Sequence, residues 1–435
     1  MNRNQVINYS IPRYTVFDNF SIPRYTKPML DKLFELHKRI LKDQKAQQKR
    51  YLYSKIAWDQ RLNIIVGPRG VGKTTLMLQR LQDKYADSDS ALYVSADNIL
   101  VNELGLFNIA QEFEKLGGKI LVIDEVHKYK NWNQEIKNIY DSFASLKLLV
   151  SGSSAIGIVK SQYDLSRRAV LNKLKGLSFR EYINFKLGND VFPASYTFKT
   201  IAENADTIAK DIVATTEQNN QRVLALFNDY LKAGYYPYFL EGTKGYLDKL
   251  QNALSKVLYE DIPAVFKYEV GAINKLQKII FLTATSAPLV PNVSTMASDL
   301  GINKSTLYDY LESLKDAGVI SLMFRGEKGV EIYRKPEKVF LENPNLFYSV
   351  KHEAHFEPNI GAVRETYAYN QLSFDNLVTA SEDKDFVIDG YELEVGGKTK
   401  GTKYIKDKEA DFVLKDGVEF AQGNLLPLWL IGFLY

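Results

Sequence analysis

Residues Gly67 to Thr74 read Gly-Pro-Arg-Gly-Val-Gly-Lys-Thr, a match to G-x-x-x-x-G-K-[ST]. A loop of this composition binds the phosphates of a nucleotide. Gly67, Gly70 and Gly72 let backbone N–H groups curl around anionic oxygens, and the N-terminus of a following helix adds partial positive charge. Lys73 is placed to reach the β- and γ-phosphates, and the Thr74 hydroxyl to ligate Mg²⁺. Pro68, Arg69, Val71 and Thr75 complete the expected nucleotide-binding stretch. The motif requires a strand before it and a helix behind it. Leu62-Asn63-Ile64-Ile65-Val66 is mostly apolar and β-branched, and Thr75-Leu76-Met77-Leu78-Gln79-Arg80-Leu81 has helical spacing.

A second chemical signal stands at Lys119-Ile120-Leu121-Val122-Ile123-Asp124-Glu125. This is an apolar strand ending in two acids. Beside a phosphate loop, Asp124 is expected to hold the Mg²⁺ shell and Glu125 to polarise an attacking water. A third strand, Leu148-Leu149-Val150, runs into Ser151-Gly152-Ser153-Ser154, whose hydroxyls could touch the γ-phosphate or the water; an ordinary Ser/Gly turn has the same composition. Asp164-Leu165-Ser166-Arg167-Arg168 offers an arginine fork for γ-phosphate charge, acting in cis or from a neighbouring subunit, with Arg167 the candidate. His127 reads as a local hydrogen-bonding residue, because phosphoryl transfer relies on positioning and electrostatics.

The elements that must position these residues follow from periodicity. Strand patterns at Leu62–Val66, Ala91–Ser95, Lys119–Asp124 and Leu148–Ser151 alternate with helical ones, which predicts a parallel sheet covered by helices. We divide the chain into an N-terminal extension with a basic helix (1–57), a phosphate-loop ATPase domain (58–176), a helical lid region (177–286), a winged helix (287–340) and a C-terminal domain (341–435). From Pro28 to Trp58 the pattern is helical, with Leu30, Leu33, Leu36 and Ile40 on one side and a run of basic residues that reads as a solvated face or as a phosphate-backbone contact. The aromatics of Tyr235-Tyr236-Pro237 read as packing beside a helix stop. In the winged helix, Ser294–Leu300 and Lys304–Ala317 are the helices, with Leu307, Tyr310, Leu311 and Leu314 facing inward; Val319–Phe324 and Val330–Tyr333 are the hairpin strands around Gly326–Gly329. Lys304 and Lys315 stand against Asp309, Glu312 and Asp316, a net acidic helix that enters a phosphate-lined groove poorly and so favours a packing module over a DNA reader. SIPRYT occurs twice, at Ser10–Thr15 and Ser21–Thr26; two copies do not make a solenoid, and the repeat has no functional account.

Bulk composition sets bounds. The chain has 435 residues, 45% hydrophobic and 25% charged, with a formal net charge of +4. That is globular composition with room for two or three domains, and the charge is too small to argue nucleic-acid binding by itself. There is no cysteine, which excludes disulfides, thiolate catalysis and cysteine metal sites. The imidazoles are His37, His127, His352 and His355; the last two, near Glu353, read as exposed polar residues. No apolar run reaches the roughly 18–20 residues of a membrane span, and the first residues lack the apolar core of a secretory signal, so a cytoplasmic location is expected.

Beyond Asn359 a different chemistry is sketched. Glu365 lies on a helical pattern, then come Asp385-Phe386-Val387 and Tyr391-Glu392-Leu393-Glu394-Val395-Gly396-Gly397-Lys398. A metal-dependent nuclease of the restriction type wants an Asp followed by Glu-x-Lys on the next strand, the acids holding Mg²⁺ and the lysine stabilising charge. Gly396 stands in the lysine place. Lys398 keeps the face of Glu394 on an extended strand, roughly 13 Å away, a reach that a bulge at Gly396-Gly397 could shorten. Glu365, Asp385, Glu394 and Lys398 are the candidate residues of a degenerate fold of this kind. Glu409-Ala410-Asp411-Phe412-Val413 repeats part of the phrase without a following Glu-x-Lys. The apolar run Leu425 to Tyr435 is expected to complete a sheet or an interface.

The phrases GPRGVGKTT, ILVIDEVHKYKNW, LLVSGSSA, LKGLSFREY, YLKAGYYP, INKSTLYDYLESLKDAGVI, LEVGGK and GNLLPLWLIGFLY together resemble the prokaryotic AAA-type ATPases that carry a winged helix and a C-terminal domain of unknown function with a restriction-endonuclease-like fold. The resemblance covers about Trp58 to Tyr435. It implies ATP as ligand, Mg²⁺ as cofactor, Ser151–Ser154 as sensor region, and Ser166-Arg167 where the family has Gly-Arg. Gly70 stands where the family's loop has a second arginine. The expectation is a Mg²⁺-dependent, slow ATPase whose nucleotide state rearranges the C-terminal modules. Its rivals are an ATP-gated binder or nuclease of double-stranded DNA, and a nucleotide-gated scaffold for an unknown protein partner or for copies of itself.

Overall fold

The computed structural model describes residues 26–86, 88–153, 165, 167–188, 190–286, 289–325, 335–406 and 410–435. The SIPRYT repeat apart from Thr26, Ser154, Asp164, Ser166, the expected wing from Gly326 to Tyr333, and Glu409 lie outside the described residues.

The five strands of the first sheet are β1 (Leu62–Gly67), β2 (Ala91–Ser95), β3 (Ile120–Asp124), β4 (Lys147–Ser153) and β5 (Val170–Lys173). All pair in parallel, in the order β2-β3-β4-β1-β5. Their near-continuous apolar runs suit strands covered on both faces. Register carries the chemistry: Gly67 lies opposite Ser153, and Ser95 opposite Asp124. The phosphate loop, the acid pair and the Ser151 region therefore meet outside the carboxyl ends of the strands, where open parallel sheets bind ligands. Helices α1 (Thr26–Asp43), α2 (Leu52–Lys55), α3 (Lys73–Tyr85), α4 (Ile99–Leu104), α5 (Leu106–Lys115) and α6 (Trp132–Ser142) surround the sheet. Leu30 and Leu33 bury the apolar side of α1, and its basic residues remain on the other side.

The stretch from Leu177 to Ser286 is mainly helical, as its pattern predicts. It contains Phe179–Leu187, Phe198–Gln218, Val223–Ala233, Tyr246–Lys256, a π-helical turn Val257–Asp261, Ile262–Phe266 and Val270–Thr285. Tyr235 and Tyr236 are buried packing residues. Two helices follow, Val293–Asp299 and Lys304–Asp316, the second burying Leu307, Tyr310, Leu311 and Leu314. Strand β6 (Ile320–Met323) then pairs antiparallel with β7 (Lys338–Leu341), so the partner seen among the described residues comes later in the chain than the expected Val330–Tyr333.

The C-terminal region forms a separate sheet of β8 (Val378–Thr379), β9 (Phe386–Ile388), β10 (Tyr391–Gly396), β11 (Asp411–Lys415) and β12 (Leu425–Pro427), in the order β12-β11-β10-β9-β8. The helix Ile360–Leu372 and the 3₁₀ helix Leu428–Phe433 pack on it. One apolar cluster runs from the α3 face of the first sheet through the helical region to this second sheet. A second cluster fills the other face of the first sheet beneath α1.

Candidate nucleotide site

The loop between β1 and α3 is a turn held by glycine geometry. Gly70 and Gly72 have φ of +80° and +99°, conformations that a side chain strains. Gly67 admits no Cβ for a different reason: an added Cβ would lie 2.1 Å from the Leu174 carbonyl oxygen. Gly70 is covered by Tyr238, whose hydroxyl would meet an added Cβ at 1.7 Å. An arginine there would be strained by the backbone and would have to displace the Tyr238 ring.

Lys73 opens α3 and is buried. Its ammonium donates to the carbonyls of Gly67 at 2.9 Å and Pro68 at 3.1 Å, so it closes the loop on itself. Burial pushes the Lys73 pKa down, against the opposing pull of Glu125 and Asp124. The Thr74 hydroxyl donates to Asp124 Oδ2 at 2.6 Å. Asp124 is buried at the end of β3 and is also held by the hydroxyls of Tyr93, at 2.9 Å, and Ser151. Glu125 turns into the left-handed region at φ 52°, and its N–H donates to Asp124 Oδ1 at 3.0 Å and Ser151 Oγ at 3.2 Å. Such a backbone on a non-glycine residue stores strain of the kind found at reacting centres.

Three further residues join this cluster that the motif reading did not assign to it. Tyr93 is on β2, next to β3, and burial raises its phenol pKa, with Asp124 adding to the shift. His127 Nδ1 accepts the Ser153 N–H at 3.3 Å, which puts the proton of the neutral ring on Nε2. That nitrogen stands 3.4 Å from Glu125 Oε2 and 3.6 Å from Asp261 Oδ1. Asp261 arrives from the helical region, about 190 residues down the chain from the loop, and receives Arg69 through Nε at 2.7 Å and Nη2 at 2.6 Å. Alternation along β2 could have pointed to Tyr93; nothing local in the sequence marks Asp261.

Arg167 requires a correction for action in cis. Val170 pairs with Asn63 and Lys173 with Val66, so β5 begins at the end of the sheet opposite the phosphate loop. Arg167, just before β5, is exposed at that far end. Its neighbour Arg168 pairs with Asp141 at 2.8 Å, at the end of α6.

The donor set fits the groups that the motifs imply. A hydroxyl and a carboxylate side by side are hard oxygen ligands of the kind Mg²⁺ takes when phosphates and waters supply the rest. Among the described residues no group of three or more His, Cys, Asp or Glu is placed to hold a metal by itself.

The C-terminal acids do converge. Lys338, on β7, donates to Glu365 at 2.9 Å and to Asp385 at 3.0 Å. Lys400 pairs with Glu394, and Asp385 also accepts the Val395 N–H at 2.9 Å. Burial, then Asp385, push the Glu365 carboxyl up to about 7, with Lys338 opposing. The lysine expectation is corrected. Lys398 makes no ion pair with these acids among the described residues; a Cβ added at Gly417 would meet its stem at 3.6 Å. Strand β10 ends at Gly396, so alternation no longer orients Lys398. The chain turns instead at Gly397, whose carbonyl accepts the Lys400 N–H at 2.9 Å, and the Lys400 stem folds over Gly396.

Comparison with known proteins agrees with this geometry. Residues 59–183 match the family model described as an AAA domain, and residues 224–353 match a domain of unknown function, DUF8612. The second match ends before the C-terminal sheet. Residues 59–183 are thus a P-loop domain of the AAA type. The chain is similar to an uncharacterized protein of Methanocaldococcus jannaschii, 25% identical over 296 residues that make up 65% of this chain. The chain spans 61% of the length of that relative. Among solved structures it is similar to AMPPCP-bound DnaA from Aquifex aeolicus (12% identity, 68% of this chain and 93% of that one, TM-score 0.26). It is also similar to C. elegans PCH-2 (16% identity, 38% of this chain and 46% of that one, TM-score 0.21). No helix among the described residues is long and apolar enough to cross a membrane.

Proposed function

We propose that the chain is a cytoplasmic, Mg²⁺-dependent ATPase of slow turnover whose nucleotide state repositions its C-terminal modules. The observation that carries the reading is the 2.6 Å bond from Thr74 to Asp124 beside a lysine folded onto its own loop. Gly67 to Thr75 bind the phosphates, Lys73 offsets charge on the β- and γ-phosphates, and Thr74 with Asp124 hold Mg²⁺. When bound, the ion neutralises charge on the transferred group. Glu125 orients the attacking water, and Ser151 fixes the backbone and carboxylate around it. Arg167, at the far end of its own sheet, serves a neighbouring subunit if the protein assembles. We take residues 58–176 as the nucleotide module and 287–340 as a winged helix that packs rather than reads DNA.

Titration of the purified chain with an ATP analogue, beside ATP turnover with and without double-stranded DNA, tests this. Lys73→Ala is expected to lose both binding and turnover. Glu125→Gln is expected to keep binding and lose turnover by two orders of magnitude or more, on the scale of about 10²–10³ for a single catalytic group. Unchanged turnover in Glu125→Gln would favour the scaffold reading, and a strong salt-sensitive rise with DNA the DNA-directed one.

A further inference from the structure

The helical region reaches the phosphate loop at Tyr238, over Gly70, and at one buried acid that holds the loop's arginine. Asp261 closes the π-helical turn Val257–Asp261, between the helices Tyr246–Lys256 and Ile262–Phe266. Its carboxylate takes both arms of the Arg69 fork, at 2.7 and 2.6 Å, and Arg69 is part of the loop itself. Glu260 stands 3.9 Å from the same guanidinium and is half exposed. On the other side, Arg69 Nη1 lies 3.7 Å from Glu125 Oε2. His127 Nε2 lies between Glu125 and Asp261, at 3.4 and 3.6 Å. Both His127 Nε2 and Glu125 Oε2 are buried, and among the described residues neither has a hydrogen-bond partner in good geometry. The His127 Nε2–H thus faces two carboxylates at similar distances and is committed to neither by a short bond.

We propose that Asp261 is the helical region's phosphate sensor: it competes with an incoming nucleoside triphosphate for Arg69, and its release carries loop occupancy to residues 246–266. The inference rests on the nucleotide reading above. A guanidinium fork matches a carboxylate and a phosphate with the same geometry, and the more highly charged phosphate is the stronger partner. Arg69 can lend its bidentate face to only one of them. The element that holds Asp261 is suited to respond. A π-helical turn is an uncommon local geometry that recurs at functional sites. Pro263, two residues on, lacks the N–H that would extend the ladder. Loss of the Arg69 contact therefore frees a segment already interrupted, and His127 is left to Glu125 alone. The coupling runs in both directions, because a ligand shifts an equilibrium only through its differential affinity for the two states.

Amide hydrogen exchange of the full wild-type chain, with and without AMPPCP and Mg²⁺, reads this directly. Exchange at residues 257–266 is expected to rise on addition of the analogue, while the loop 67–74 becomes protected. In Asp261→Asn, which keeps the side-chain shape, the analogue is expected to bind about tenfold more tightly, equivalent to ~1.4 kcal/mol of lost competition. Asp261→Glu is expected to restore part of the difference. Binding of the analogue with exchange at 257–266 unchanged or reduced overturns the sensor and leaves the ATPase reading standing. Protection of 67–74 absent in wild type removes the ATPase reading, and the sensor with it. Should Asp261→Asn fold poorly, the wild-type exchange pattern alone decides.

Discussion

Asp124 shows how much of the site depends on single atoms. A buried carboxylate is tolerated because hydroxyls of Thr74, Tyr93 and Ser151 and the Glu125 N–H all donate to it. Removing one donor leaves the charge partly unsatisfied rather than merely losing a contact. Tyr93→Phe keeps the ring and deletes only the 2.9 Å bond. It is expected to lower stability by about 1–3 kcal/mol in urea unfolding, and to weaken Mg²⁺-dependent nucleotide binding while leaving the small metal-free component in place. Thr74, Asp124 and Ser151 were legible in the sequence because strand ends and a spaced motif identify them without any knowledge of the fold. Tyr93, Asp261 and Tyr238 were not, because each acts across a contact whose partner is distant in the chain. Lys400 was hidden by a turn: alternation pointed to Lys398, and only the reversal at Gly397 brings the later lysine back to Glu394.

At the level of elements, the parallel sheet followed from the alternation of strand and helix patterns, whereas its edges did not. Helix α1 reads as a basic surface helix, yet it is anchored to β2 by a buried imidazole. His37 Nδ1 accepts the Tyr93 N–H at 3.1 Å, a bond that only the neutral ring can accept at that nitrogen. Burial, and then the charge of Lys38, hold the His37 pKa down at about 4, with Asp89 pulling the other way. The sign follows. A base whose folded pKa lies below its unfolded value of about 6.5 gives stability that is complete above pH 6.5 and lost as pH falls toward 4. The loss is of order 2–3 kcal/mol across that window. Urea unfolding of wild type and His37→Gln at pH 7.5 and pH 4.5 measures it. The variant, whose amide oxygen can still accept from Tyr93, is expected to show the smaller drop. Equal drops in the two proteins would place the acid sensitivity elsewhere.

At the scale of the molecule, the nucleotide module and everything after it share one apolar core, which limits what any switch can do. That core includes Ile65, Val122 and Leu149 of the first sheet, Phe179 and Phe227 of the helical region, and Tyr367, Trp429 and Phe433 of the C-terminal region. Buried ion pairs reinforce it. Arg50 holds both oxygens of Glu181, at 3.0 and 3.1 Å, and donates to the Val71 carbonyl of the loop. Modules joined in this way are repositioned by small shifts across the shared core rather than by swinging apart. A nucleotide-driven change must be a local exchange of partners, such as Arg69 with Asp261, transmitted through packed helices. Gly432 tests the continuity. A Cβ added there would lie 2.4 Å from Phe179 Cβ and 2.4 Å from the Tyr367 hydroxyl, so the packing of Gly432 against Phe179 and the buried Tyr367 side chain must give to admit it. Gly432→Ala is expected to cost about 1–3 kcal/mol, as overpacking does. If the core is cooperative, the cost appears far from the substitution: amides of β1, more than 360 residues earlier in the chain, exchange faster through global opening by the same free energy as those of the helix Ile360–Leu372. Faster exchange confined to the C-terminal sheet and its helices would mean that the two ends of the core open independently, and the modules would then be free to move as separate bodies.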